Sequence, residues 1–525
     1  MRKVYIVLML FACLYVIIIS CNNNKTKDST ENISYLQFPD TLSAYTPYDV
    51  DINLENELLK ADKLPEAQRI FEILSWQMFI SLNWPLDSNE HPMPDISHDG
   101  KRIWEHWKES FEIFKEDGSK PLAWGESEVP DDLQNRAPDD SGIAVLYRTS
   151  EFSSLIGKKG KVVGKRKLFA DTADEINQAF TSPIWDQNGN IVRYEIRLNK
   201  KTTDYIVDNE LYNIDGQIAF SKAGKKISFP SGTRDSAGSI ELKFAWKIID
   251  TTNDFPERYF TKEAYVLKKD GSFEKEMVGL VGMHIGTKTK SSPQWIWATF
   301  EHVDNLETNT LEMIQGKRLK PSFYDPNCST CPVNLLPDTT KTLIKNQIQR
   351  VLPITKATQA LNKQVQSLLK SKNSVFQYYE LIGTQWPTMP NAPAYPPDTN
   401  IFKLPESVIN KSGGFPVPVY LTNMVMETYF QGATTVGSTQ ATTFYNQYLA
   451  NEPAYFQMEG FPKTKDTANT LKIIFGTEGC VGCHHSAGIA LGDTVDGGLR
   501  KAWYGKPGSA DFEWLLQLKA HFKKQ

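Results

Sequence analysis

Apolar positions along the chain change period three times, and each change predicts an element. Phe71, Leu74, Met78 and Leu82 recur at helical spacing and stop at Asn83-Trp84-Pro85, where proline disfavours continuation, so the pattern predicts an amino-terminal helix. A second short helical stretch is expected over 103–114. From about 140 to 305 the period becomes two. Val192, Tyr194, Ile196 and Leu198 alternate with Arg193, Glu195 and Arg197, and Ile240, Leu242, Phe244, Trp246 and Ile248 alternate mostly with polar residues. Residues 278–285 and 295–303 read as two more strands, joined by a polar connection over 286–293 suited to a hairpin. Helical period returns after Pro337: Ile344, Ile348, Val351 and Leu352 form one stripe, Pro353 breaks it, and Leu361, Val365, Leu368 and Leu369 form the next, predicting a helical hairpin. The proline-rich stretch 386–397 reads as an irregular connector, a further helix is expected over 420–430, and a boundary is placed near 400.

The first twenty-one residues bear on compartment. Arg2 and Lys3 precede an apolar run from Val4 to Ile19, shorter than the roughly 20 residues that span a bilayer, which is the pattern of an export signal. Its end, Ile18-Ile19-Ser20-Cys21, resembles the lipobox of bacterial lipoproteins, although leucine and a small residue are usual where Ile18 and Ile19 stand. The resemblance implies a signal peptide over 1–20, lipidation at Cys21, and a membrane-anchored lipoprotein facing the periplasm or cell surface. The rival reading is an uncleaved helical anchor. Residues 21–50 then act as a polar tether, since 22–34 carry no apolar period and too little surface to repay ordering.

Composition narrows the function classes. With 525 residues, 40% apolar and 23% charged, the chain can bury a large core, so disorder and coiled coil are excluded. A formal charge of −4, reaching −6 once Arg2 and Lys3 leave with the signal, supplies no basic excess for a phosphate backbone, so nucleic acid is not an expected partner. Twelve tryptophans leave large side chains for a core or a ligand wall; Trp76, Trp84, Trp104, Trp107 and Trp124 are read first as packing. The sequence contains no GxSxG, HExxH or P-loop pattern.

The chemistry lies in the cysteines. Cys13 is in the signal, Cys21 is the lipidation candidate, and the other four form two CxxC pairs. Cys480-Val-Gly-Cys483-His484 matches the c-type haem attachment motif: two thiols spaced for the two haem vinyl groups, and an adjacent imidazole as proximal iron ligand. One covalent haem c is the expected cofactor. Cys328-Ser-Thr-Cys331 lacks the histidine, and in an oxidising compartment a disulfide is its default. Zinc shared between the pairs and a redox-active Cys328/Cys331 are the rivals.

Over Cys480 to His484 the chain resembles the cytochrome c family. More narrowly, Ser75-Trp-Gln-Met-Phe-Ile-Ser-Leu-Asn-Trp-Pro85, residues 295–305 and residues 379–387 are similar to phrases of long, poorly characterised bacterial cytochrome c family proteins, which supply no established substrate. One departure matters: none of the 41 residues after His484 is methionine, so the usual downstream iron ligand is absent. The distal ligand must come from elsewhere, with His302 the leading candidate, then His284, Met424, Met426, Met458 or His521, or from no side chain at all. A satisfied core histidine is the plainer reading of His302.

The expected fold class is α+β: an antiparallel β-rich central body with flanking helices over 51–400, and a mainly helical C-terminal haem-bearing region over 401–525. The expected function is one-electron transfer with an unidentified redox partner. The alternatives are a haem-dependent oxidoreductase whose body binds substrate beside an open iron position, and a surface ligand-binding module with accessory haem.

Overall fold

The computed structural model describes residues 36–127, 144–146, 183–268, 273–306, 312–328, 330–331, 333–335, 337–338, 340–350, 354–387, 410–412, 415–417, 421, 423–428, 480–485, 487–505 and 508–524. The chain divides into Met1–Phe38 and Pro39–Gln525, and every element below belongs to the second unit. The signal run and Cys21 lie outside the described residues. Among the described residues no helix is long and apolar enough to cross a membrane.

In chain order, helices α1 (Ile52–Lys60) and α2 (Leu64–Leu82) are followed by paired strands β1 (Pro85–Leu86) and β2 (Lys101–Arg102), by β3 (Lys108–Glu109) running into the single turn α3 (Ser110–Ile113), and by β4 (Ala144–Leu146). Next come β5 (Arg193–Leu198), α4 (Lys200–Asp208), α5 (Ile214–Lys222), β6 (Ile240–Ile248), β7 (Thr261–Leu267), β8 (Phe273–Thr287) and β9 (Ile296–His302). A small hairpin, β10 (Met313–Ile314) with β11 (Lys317–Arg318), precedes α6 (Lys356–Ser371) and β12 (Tyr379–Gln385). Beyond 400 the described elements are hairpin β13 (Asn410–Ser412) with β14 (Phe415–Val417), helix α7 (Cys480–His485), hairpin β15 (Ala490–Asp496) with β16 (Leu499–Tyr504), and the short α8 (Trp514–Leu518).

Eight strands make one curled sheet in the order β12-β9-β8-β6-β5-β3. The amino-terminal half of β8 pairs with β7, and β4 lies parallel to β7. The sheet is therefore mixed, which corrects the expectation of a purely antiparallel body; the α+β class of that body stands.

Alternation gives the sheet two faces. Phe244, Met283, Phe300 and Leu381 are aligned across β6, β8, β9 and β12 by register. On their face, Phe79 of α2 stacks on Phe300 at 4.3 Å, and Trp104 packs on Phe244 at 4.3 Å. Helix α2 also packs on β12 and α6. Trp76 Nε1 donates to Asn362 Oδ1 at 3.0 Å, so the polar atom of this indole is satisfied. Trp76, Trp84, Trp104 and Trp107 are buried packing residues.

The opposite face aligns Lys243, His284 and Thr299, flanked by Glu241, Gly286 and Trp297 on one side and Ala245, Gly282 and Glu301 on the other. Residues 423–428 and the carboxy-terminal elements touch this face: Asn423 Nδ2 donates to Thr299 Oγ1 at 2.9 Å, and the Met424 amide donates to Glu301 Oε1 at 2.8 Å. Gly282 is required there, because a Cβ would lie 2.8 Å from Val425 Cγ2.

Three expectations are corrected. Over its described residues the carboxy-terminal region is not mainly helical. That part holds two hairpins, a six-residue helix and one further helical turn. Gly497 and Gly498, at φ +58° and +80°, form the two-residue turn that β15 and β16 need, and the strands then extend by pairing. The stripe at 344–352 forms no helix over its described residues, 344–350. Its amides are paired elsewhere, Asn346 N to the Trp185 carbonyl at 3.2 Å and Ile348 N to the Phe323 carbonyl at 3.0 Å, so tertiary pairing outweighs local period. The described residues of the expected helix at 420–430 make only turns, and the connector beyond 387 lies outside the described residues.

Residues from both sides of position 400 share one core. Ile196, Leu198, Ile218, Phe229 and Trp297 cluster with Val481, Ile489, Phe512, Trp514 and Leu516.

Candidate functional site

Cys480, Cys483 and His484 lie on α7. Helical spacing puts positions 480 and 484, four residues apart, on one side of it. The helix is docked by its first turn, where the Val481 amide donates to Gln385 Oε1 at 2.8 Å at the end of β12. Cys480 is half-buried and in no disulfide, with its Sγ 3.6 Å from the Leu421 carbonyl oxygen.

The His484 imidazole is held from two sides. Its ring lies 4.0 Å from that of Trp297, tilted by 41°. Its Nδ1 is 2.8 Å from the Phe512 carbonyl oxygen, and a carbonyl can only accept. The proton therefore sits on Nδ1, and Nε2 keeps its lone pair, the arrangement a metal-binding imidazole needs. Burial, with His284 and Lys243 opposing a further positive charge, depresses the ring to about 4, so it is neutral at physiological pH.

The carbonyl that orients His484 belongs to a strained turn. Glu513 N donates to the Ala510 carbonyl at 3.0 Å, and the two residues between, Asp511 and Phe512, have φ +52° and +70°. Turns with positive φ at both central residues normally carry Asn-Gly or Gly-Gly. An aromatic residue there costs about 1–3 kcal/mol, which its burial in the shared core helps to offset.

Charged groups surround this turn and the sheet face below it. His284 Nε2 and Glu427 Oε1 are 2.9 Å apart, with Lys243 Nζ 3.7 Å from the same oxygen. Burial would raise the Glu427 carboxyl, but His284 and Lys243 outweigh it and hold it down to about 2. Asp511 pairs with Lys288 and accepts from the Phe229 amide at 2.7 Å. Glu513 accepts from the Leu515 amide at 2.8 Å and faces Glu241 of β6. Burial raises both glutamates, and the neighbouring Glu241 carboxyl raises Glu513 further.

The other sequence candidates lie elsewhere. His302, the leading distal candidate, has both ring nitrogens engaged: Nε2 donates to the Arg258 carbonyl at 2.9 Å, and Nδ1 accepts from the Asp304 amide at 3.1 Å. It stacks on Tyr259 at 4.0 Å and has no lone pair left for a metal. Met424 and Met426 are buried in a second apolar cluster with Tyr259 and Phe323. Met458 and the side chains of Cys483 and His485 lie outside the described residues. Cys328 and Cys331 are joined by a disulfide, Cα–Cα 5.5 Å, which removes them as zinc ligands. Among the described residues no group of three or more His, Cys, Asp or Glu is arranged to hold a metal ion.

Trp297, Gln385, Phe512, Glu241 and Glu513 were not legible as site residues. Trp297 sits two residues from Trp295 in a strand whose alternation was read, but only the third dimension brings it to His484. Nothing in the residues 508–513 marks the turn, because glycine is missing from the position that would signal it.

No family model, no curated protein and no solved structure matches this chain.

The described donors are of the kind a c-type haem needs: Cys480 and His484 lie one turn apart on α7, and the bonded Nδ1 of the imidazole leaves the Nε2 lone pair.

Proposed function

We propose that this chain is an exported, lipid-anchored protein that carries one c-type haem at Cys480, Cys483 and His484 and transfers single electrons. One observation carries the reading: the imidazole of the CxxCH motif is fixed by the Phe512 carbonyl with Nε2 free, which is the state a proximal ligand requires and an incidental surface histidine does not. The lipobox-like Cys21 and the export pattern before it supply the oxidising compartment where such attachment takes place.

When bound, the group supplies one-electron cycling between Fe(III) and Fe(II). The chain's own residues do the rest. Cys480 and Cys483 would hold the ring covalently and His484 would bind through Nε2, while Trp297 limits the tilt of the imidazole and the shared core holds α7 in place. Raised donor strength at Nε2 follows from the Nδ1 hydrogen bond.

The haem-dependent oxidoreductase reading draws support from a specific feature, the engagement of both His302 nitrogens, which leaves the leading second ligand unable to bind. Carbon monoxide separates the two: rapid binding to the reduced protein favours an open position, and no binding favours two protein ligands.

The test is the chain co-expressed with a haem maturation system. Covalent haem absorbance that survives denaturation is expected in the wild type and absent from Cys483→Ala. A wild type without covalent haem overturns the proposal.

A further inference from the structure

The backbone at Asp511–Phe512 is strained, yet it is the element that orients His484, so something must hold it in place. Two anchors reach it from the sheet. Lys288, the residue after β8, pairs with Asp511, whose carboxylate also takes the Phe229 amide. On the other side of Phe512, Glu513 contacts Glu241 of β6 while capping the first turn of α8. Among the described residues no N–H or hydroxyl donates to Oε2 of either glutamate, and the two buried carboxyls face each other. Phe512 therefore sits between two residues that are each pinned to the sheet, and its carbonyl has one direction available.

We propose that Lys288 and the Glu241–Glu513 pair are positioning residues for His484, holding the left-handed turn whose Phe512 carbonyl selects the imidazole form with Nε2 free. They act through the backbone and touch no reacting atom. The inference rests on the reading of His484 as an iron ligand, but its first test does not.

That test uses the full chain made without haem and labelled with nitrogen-15 at histidine, the His484 signal being assigned by its loss in His484→Gln. The wild type should show a single form, protonated at Nδ1. Lys288→Met and Glu241→Leu should lose this purity and show a second form protonated at Nε2, whereas Lys288→Arg and Glu241→Gln, which keep a partner for Asp511 and Glu513, should retain the single form. In the haem-loaded chain the first two variants should shift the midpoint potential, and the conservative two should not.

A single Nδ1-protonated form in folded Lys288→Met and Glu241→Leu overturns the positioning role. If Lys288→Met does not fold, Lys288→Gln combined with Asp511→Asn removes both charges together and carries the same expectation and the same refutation. Failure of the wild type to take up haem would overturn the proposed function and leave the imidazole result standing; an unmoved imidazole would do the reverse.

Discussion

Trp295 and Phe512 are the two aromatic residues held at positive φ among the described residues, at +67° and +70°, and both lead to His484. Trp295 stacks on Trp297, Trp297 lies against the imidazole, and Phe512 accepts from it. Strain concentrated at one place is characteristic of a site whose geometry matters more than local comfort. His302 shows the contrary case. Burial depresses its ring to about 4, against about 6.5 in an unfolded chain. Between those values the unfolded chain binds a proton that the folded one refuses, so stability is complete above pH 6.5 and falls as pH drops toward 4, by about 3 kcal/mol. Denaturant titrations of His302→Gln across this range should show a flatter slope than the wild type, with the haem spectrum unchanged. A changed spectrum would return His302 to the list of ligands. Of the two histidines placed in strands by sequence, neither could be assigned from its own neighbours. His302 and His284 both alternate correctly, and only the packing of residues 256–260 and 423–428 decides what each ring meets.

At the scale of elements, the alternating segments were the most legible. The runs through Val192–Leu198 and Ile240–Ile248 became β5 and β6 because cross-strand pairing and local pattern agree. Agreement failed at 344–350, where glutamine and asparagine side chains bond distant backbone: Asn346 Oδ1 accepts from the Trp185 amide at 2.8 Å. It failed again after His484, where Gly497-Gly498 marks a hairpin turn that the expectation of a helical haem region obscured. The close approach at Gly282 gives a sharp test of element packing. Gly282→Ala places a methyl 2.8 Å from Val425 Cγ2, and the resulting overpacking should reduce unfolding free energy by about 1–3 kcal/mol in urea. Because residues 423–428 carry Glu427, faster proteolytic cleavage near that segment should accompany the loss. Unchanged stability would mean that the segment moves aside freely.

At the scale of the molecule, the proposed function implies a tethered protein whose attachment depends on Cys21. In the native host the wild type should sediment with membranes, and Cys21→Ser should appear in the soluble exported fraction. Equal retention of both would remove the lipid anchor from the proposal. The last elements are bound tightly into the body: Gln217 of α5 donates to the Leu516 carbonyl at 2.7 Å and accepts from the Ala490 amide at 3.1 Å, and Arg500 bridges Asp215 and Asp493. This seam ties the fate of α7 to that of the tail: held by Gln385 at the β12 end and by the Phe512 carbonyl, the helix is positioned only once the last residues have docked.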